Sequence, residues 1–151
     1  MRRWMMMLVA ALVAASPAAG QSPDDLAAIE IAAARRALSG SNIARSMIRV
    51  DPAFAEARVA PGAATGSTRP AARTAAIQEA VTVPSTYRRP YGETLLLMSD
   101  PQVSGDDAQV TATVFRVSQS GRRNYLTLQI TLKRGERGWA VVSCDRLGGG
   151  E

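Results

Sequence analysis

The sequence predicts an α+β fold in which N-terminal helices pack on a curved antiparallel sheet. In the N-terminal half, apolar residues recur at helical spacing, which places them on one face of each helix. From Glu93 onward, apolar residues alternate with polar ones, as they do in half-buried strands. Loops rich in Gly and Pro at 59–70 and 84–92 separate these segments. Helices followed by a run of strands are typical of the α+β class.

The N-terminal segment, residues 1–20, has the order of regions found in a secretory signal peptide. Arg2 and Arg3 come first, an apolar run follows at 4–15, and small residues close the segment. The apolar run has about twelve residues, whereas a bilayer-spanning helix needs roughly 20. We therefore expect cleavage after this segment and export of 21–151 as one domain, periplasmic or secreted, without a stable membrane span. The alternative is an uncleaved membrane anchor.

The first helix of the exported domain has clear start and stop signals. Ser22 is a good N-cap, Pro23 suits the first helical position, and Gly40 is a natural stop. The predicted apolar stripe consists of Leu26, Ile29, Ala33 and Ala37.

A second helix is predicted at 70–80, beginning at Pro70. Its small apolar face consists of Ala72, Ala76, Ile77 and Ala80. Between the two helices, residues 46–50 fit a short strand, and a helix over 41–49 fits the same stretch equally well.

Four strands are predicted in the C-terminal half, at 95–99, 110–117, 125–133 and 139–144. The third alternates most cleanly, with Thr127 among the polar residues of one face. Its apolar face, which we expect to contact the helices, consists of Leu126, Leu128, Ile130 and Leu132. In the last strand we expect Cys144 to be buried on the same face as Val142.

Composition excludes several classes of function. The chain has 18 basic and 13 acidic residues, and removing Arg2 and Arg3 would lower the net charge from +5 to +3. These basic residues are scattered, so we expect no nucleic-acid binding. With no His and a single Cys, the chain lacks the residues for Ser–His or Cys–His catalysis and for most zinc sites. We expect no metal, no cofactor and no intramolecular disulfide.

The acidic residues indicate no catalytic site by their spacing. Asp106 and Asp107 lie in a predicted turn, where Asp forms local hydrogen bonds to the backbone. The other acids considered as general bases have no partner that spacing identifies; they are Asp51, Glu79, Glu93 and Asp100.

Three C-terminal segments, 105–114, 125–134 and 138–141, resemble the closing strands of the nuclear transport factor 2-like (SnoaL-like, cystatin-like) superfamily. The shared features are a strand beginning Gly-Asp-x-Ala-x-Val, a long strand ending Leu-x-Arg or Leu-x-Lys, and a turn into Gly-Trp-x-Val. The resemblance implies a cone-like sheet around a pocket, and homodimers that form through the sheet. The enzymatic members use Asp–His or Tyr–Asp pairs, and a chain without His cannot form the first of these.

The best candidate for ligand or partner binding is a loop that combines aromatic and cationic residues. It contains Tyr87, Arg88, Arg89 and Tyr91, and Trp139 after a hairpin turn could stack on a ligand. We expect an exported, non-catalytic domain that binds an apolar small molecule or a protein partner. Two alternatives remain at this stage. One is a hydrolase or isomerase of the same fold that uses an Asp/Tyr pair, and the other is a structural module that assembles through sheet edges.

Overall fold

Two helices and a six-stranded sheet form the described part of the protein, which confirms the α+β class and the curved sheet. The structure, a computed structural model, describes residues 21–39, 47–50, 68–82, 92–118 and 120–150. The predicted signal segment lies outside these residues. The helices are α1 (Pro23–Ala37) and α2 (Ala71–Val81). The strands are β1 (Met47–Val50), β2 (Gly92–Met98), β3 (Gln102–Ser104), β4 (Asp107–Ser118), β5 (Arg123–Gly135) and β6 (Gly138–Gly150).

The sheet is mixed, so the prediction of a purely antiparallel sheet is wrong. Its strand order is β1-β2-β4-β5-β6, and β3 also pairs with β4. All pairs are antiparallel except β1 with β2, which are parallel. Parallel neighbours need a long crossover connection, and α2 lies in the connection between these two strands. Of the two alternatives for 46–50, the described residues therefore favour the strand.

Helix α1 is stabilised at its start as predicted. The Ser22 hydroxyl accepts a hydrogen bond from the Asp25 backbone N–H at 3.1 Å, and Pro23 occupies the first turn. Of the predicted stripe, Ile29 and Ala33 are fully buried, Ala37 is buried and Leu26 is half-buried. The helix ends at Ala37, before the Gly at which the sequence predicted its stop.

Helix α2 buries only part of its predicted face. Ile77 is fully buried as predicted, Ala76 and Ala80 are half-buried, and Ala72 is exposed. Val81, just beyond the predicted helix, is also buried, because the helix contacts α1 and β1 chiefly through its larger aliphatic residues. Near its N-terminus the inward residue is the half-buried Arg73, which contacts a carboxylate of α1.

The core lies between the helices and one face of the sheet, and the predicted alternation in β5 is confirmed. Leu128, Ile130 and Leu132 are buried in one cluster with Ile29 of α1, and the half-buried Leu126 packs against that cluster. The opposite face of the sheet is not uniformly solvated. There, Thr127 is buried and its hydroxyl lies 3.1 Å from that of Thr113 on β4.

Strand β6 is longer than predicted and contains two register shifts against β5, between Thr127/Leu128 and between Thr131/Leu132. Each shift inserts one extra residue into β6, as a β-bulge does. Val142 and Leu147 are the inserted residues and are exposed, at 59% and 56%. Cys144 instead lies opposite Ile130 and packs against the core, half-buried. The expectation that Cys144 and Val142 share a face is therefore wrong.

Candidate functional site

Only one of the five residues predicted to bind a ligand lies in the described part of the protein. The loop with Tyr87, Arg88, Arg89 and Tyr91 lies outside it. Trp139 is half-buried at the start of β6 and packs against the core.

The contacts of Trp139 are those of a residue that closes the end of the sheet. The Arg134 guanidinium lies 6.0 Å from the centre of its ring, at the outer limit of a cation–π contact. Its indole N–H is buried and has no hydrogen-bond partner among the described residues.

An open cleft of about 360 Å³ lies at the other end of the sheet. Its floor consists of Val114 and Leu126, which pair across β4 and β5, and Ala37 at the end of α1 contributes to its wall. Gly149 of β6 pairs with Leu126 and so continues the same cross-strand row beyond the cleft lining. The cleft forms here because α1 ends at Ala37, whereas β4 continues to Ser118. Sequence analysis did not identify any of these residues as part of a site.

Two arginines line the cleft on opposite sides of this row. Arg116 is half-buried and lies on the same face of β4 as Val114, one row nearer the end of the sheet. Arg146, on β6, is exposed and lies opposite Leu128 of β5. Among the described residues, neither guanidinium has an ion-pair partner. Both therefore carry uncompensated positive charge next to an apolar floor.

Two glycines near the end of β6 leave room for neighbouring side chains. A Cβ atom on Gly149 would be 2.6 Å from Arg146 Nη2 and 3.0 Å from the Tyr125 carbonyl oxygen. A Cβ atom on Gly150 would be 3.2 Å from the Tyr125 ring. The absence of a side chain at Gly149 therefore lets the Arg146 guanidinium lie over this residue, which pairs with Leu126.

The charged side chains among the described lining of the cleft are all positive. The remaining lining residues are Asn124, Tyr125 and Gly150, so no described carboxylate lines the cleft. Arg122 in the turn between β4 and β5, and Arg123 at the start of β5, add positive charge at the same end of the sheet. The arrangement can attract an anion and shield an apolar group from water. Its described lining offers no carboxylate or imidazole that could act as a general base.

A second polar cluster is buried between α1 and α2 and serves to hold the fold together. Glu30 is fully buried on α1, and its Oε1 lies 2.8 Å from Arg69 Nε. Its Oε2 lies 2.6 Å from Arg73 Nε, outside the geometry of a hydrogen bond, so this contact is mainly electrostatic. Arg69 also donates to the carbonyls of Met98 and Ser99 at 3.4 Å.

Two acids that had no partner by sequence spacing have one in the structure. Asp100 accepts hydrogen bonds from the Thr68 backbone N–H and hydroxyl at 2.9 and 2.7 Å, and lies 3.9 Å from Arg73. Glu93 accepts a hydrogen bond from Arg49 at 2.8 Å on the exposed side of the sheet. Both carboxylates are engaged in structural contacts and lie outside the cleft. Of the other two acids, Glu79 is exposed on α2, and Asp51 lies outside the described residues.

The described residues also lack the features of a metal site and of a membrane-spanning helix. They contain no group of three or more His, Cys, Asp or Glu placed to bind a metal ion. None of their helices combines the length and apolar character of a membrane span.

Comparison of the chain with models of protein families, with curated proteins and with solved structures gave no match. The resemblance to nuclear transport factor 2-like proteins therefore depends on the three C-terminal segments alone.

Proposed function

We propose that this chain is an exported, non-catalytic domain of the nuclear transport factor 2-like type that binds a small molecule with an apolar portion. The observation that carries the proposal is the cleft of about 360 Å³ between the end of α1 and β4, β5 and β6. This volume lies near the lower end of the roughly 300–1,000 Å³ typical of ligand pockets. It fits a molecule smaller than most drugs and cofactors.

The composition of the cleft supports binding over catalysis. Val114, Leu126 and Ala37 provide apolar surface, and a few polar groups at the rim can orient a ligand. An enzyme that uses an Asp/Tyr pair would need a carboxylate beside Tyr125, and no described carboxylate lines the cleft. The fully buried carboxylate of Glu30 is already paired with two guanidinium groups.

The proposal is tested by methyl NMR on the purified protein, with 1-octanol and sodium octanoate as probes. We expect saturable shifts of the Val114 and Leu126 methyl signals with at least one probe. The Ile77 methyl signal should stay unchanged, because this residue is fully buried in α2 and does not line the cleft.

A matched pair of variants separates binding in the cleft from binding elsewhere on the sheet. Leu126→Trp places a large ring on the floor of the cleft and should abolish the shift of the Val114 methyl signal, which is the reporter that this variant keeps. Leu147→Trp changes an exposed residue of the neighbouring strand and should leave the shifts intact. If neither probe shifts the cleft signals, or if Ile77 shifts equally, the proposed function is wrong.

A further inference from the structure

We infer that the ligand of this cleft is an amphipathic anion, with a short apolar portion over Leu126 and an anionic group between Arg116 and Arg146. The inference rests on the proposed function, because it specifies the chemistry of the molecule that the cleft binds. Three features carry it: the position of the two guanidinium groups, the space over Gly149 that one of them occupies, and the charge of the surrounding surface.

The strand register brings the two arginines toward a common point. The Arg146 guanidinium lies over Gly149, and Gly149 is paired with Leu126. Arg116 is on β4, two strands away from Gly149, and lies two residues beyond Val114, which is in the same cross-strand row as Gly149. Strand spacings of about 4.8 Å and about 3.4 Å per residue place its Cα roughly 12 Å from that of Gly149. Two Arg side chains that extend toward Leu126 can both reach one anionic group within this distance.

The two guanidinium groups are free to bind an anion. Among the described residues neither has an ion-pair partner, and Arg side chains form hydrogen bonds to carboxylate and phosphate groups with good geometry. The contrast with the buried cluster is clear, since Arg69 and Arg73 both contact Glu30.

The surface around the cleft favours binding of a negatively charged ligand. Arg122 and Arg123 lie at the same end of the sheet as Arg116. The carboxyl end of α1 beside the cleft carries a partial negative charge, which Arg35 and Arg36 in its last turn offset. Among the described residues the charges around the cleft are therefore mainly positive, and they should attract an anion and repel a cation.

The test compares three probes by calorimetry and methyl NMR on the purified protein. Octanoate has both an apolar chain and an anionic group, 1-octanol has the chain alone, and acetate has the anionic group alone. We expect octanoate to bind at least fivefold more tightly than octanol, and acetate to bind weakly. High salt should weaken octanoate binding and leave octanol binding unchanged, because salt screens only the charge interaction.

Substitutions of the two arginines test whether they cause the preference for octanoate over octanol. Arg116→Gln and Arg146→Gln should each lower octanoate affinity by roughly three- to tenfold, as expected for partly exposed ion pairs, and should not change octanol affinity. Arg116→Lys should retain most of the affinity because it keeps the charge. Gly149→Ala should act like Arg146→Gln, since its Cβ would displace the guanidinium. The control is Arg122→Gln, which lies outside the cleft lining and contributes only to the surrounding positive charge, so it should lower octanoate affinity less than either cleft variant does.

The outcomes separate this inference from the proposed function. Equal affinity for octanoate and octanol, unchanged by Arg116→Gln and Arg146→Gln, would overturn the anion inference and leave the proposed function standing. If neither octanoate nor octanol binds, the proposed function itself fails. If Arg122→Gln weakens octanoate binding as much as the two cleft variants do, the preference reflects general surface charge and the inference is again wrong.

Discussion

Removal of the Glu30 carboxylate should destabilise the protein more than removal of either of two other described carboxylates, Glu93 and Glu79. Glu30 is fully buried and contacts two guanidinium groups, those of Arg69 and Arg73, whose side chains are 1% and 14% exposed. Breaking a buried ion pair by removing one partner costs about 3–5 kcal/mol, because the other charge stays buried without compensation. A domain of this size has only about 5–15 kcal/mol of stability.

Urea denaturation followed by circular dichroism measures the effect. We expect Glu30→Ala to lower the free energy of unfolding by about 3–5 kcal/mol. Glu93→Ala removes a half-exposed ion pair with Arg49 and should cost about 1 kcal/mol at most. Glu79→Ala changes an exposed residue on α2 and should stay within about 0.5 kcal/mol of the parent protein.

A double variant tests the electrostatic explanation directly. Glu30→Met with Arg69→Met removes the carboxylate and the more deeply buried of its two guanidinium partners, and apolar replacement of a whole buried pair is often neutral or stabilising. Arg73 stays charged in both variants that are compared, so its contribution cancels. The double variant should therefore be more stable than Glu30→Met alone, in which Arg69 stays charged. If Glu30→Ala costs less than about 1 kcal/mol, or if the double variant is the less stable of the two, the uncompensated charge is not the cause.

Two further predictions concern the core and the N-terminal segment. Leu128→Ala should lower the free energy of unfolding by about 2–5 kcal/mol in the same urea assay, because it removes a buried side chain next to Ile130. A change below about 1 kcal/mol would mean that this part of the core is poorly packed. The exported protein should have lost residues 1–20, as measured by its intact mass. A product that keeps these residues in the membrane fraction would show that the segment is an anchor.

The elements that could be predicted from sequence are those whose signals are local. The Ser22 N-cap and the apolar stripe that contains Ile29 both belong to α1, and the alternation in β5 lies within one strand. The buried cluster could not be predicted in this way, because Arg69 lies 39 residues from Glu30 along the chain. One signal was present in the sequence, since Glu30 falls at i+4 from Leu26 and so on the apolar side of α1.

The cleft could not be predicted from the sequence, because the register of β6 against β5 is irregular. A regular alternation from Val141 would place Ser143 and Asp145 on the core face. The bulge at Val142 places Cys144 and Arg146 there instead, and the bulge at Leu147 places Gly149 there. The sequence shows no alternation that would mark these shifts. The position of the Arg146 guanidinium over Gly149 depends on both bulges.

The two bulges in β6 also protect the protein from association with other strands. β6 is the last strand in the sheet order, so within the described part of the chain its outer edge has no neighbouring strand. A flat edge of 13 residues would readily pair with another extended chain. The bulges at Val142 and Leu147 bend and twist this edge, which prevents a continuous ladder of intermolecular hydrogen bonds. Variants that delete either residue would straighten the strand and should therefore be more prone to aggregate through it.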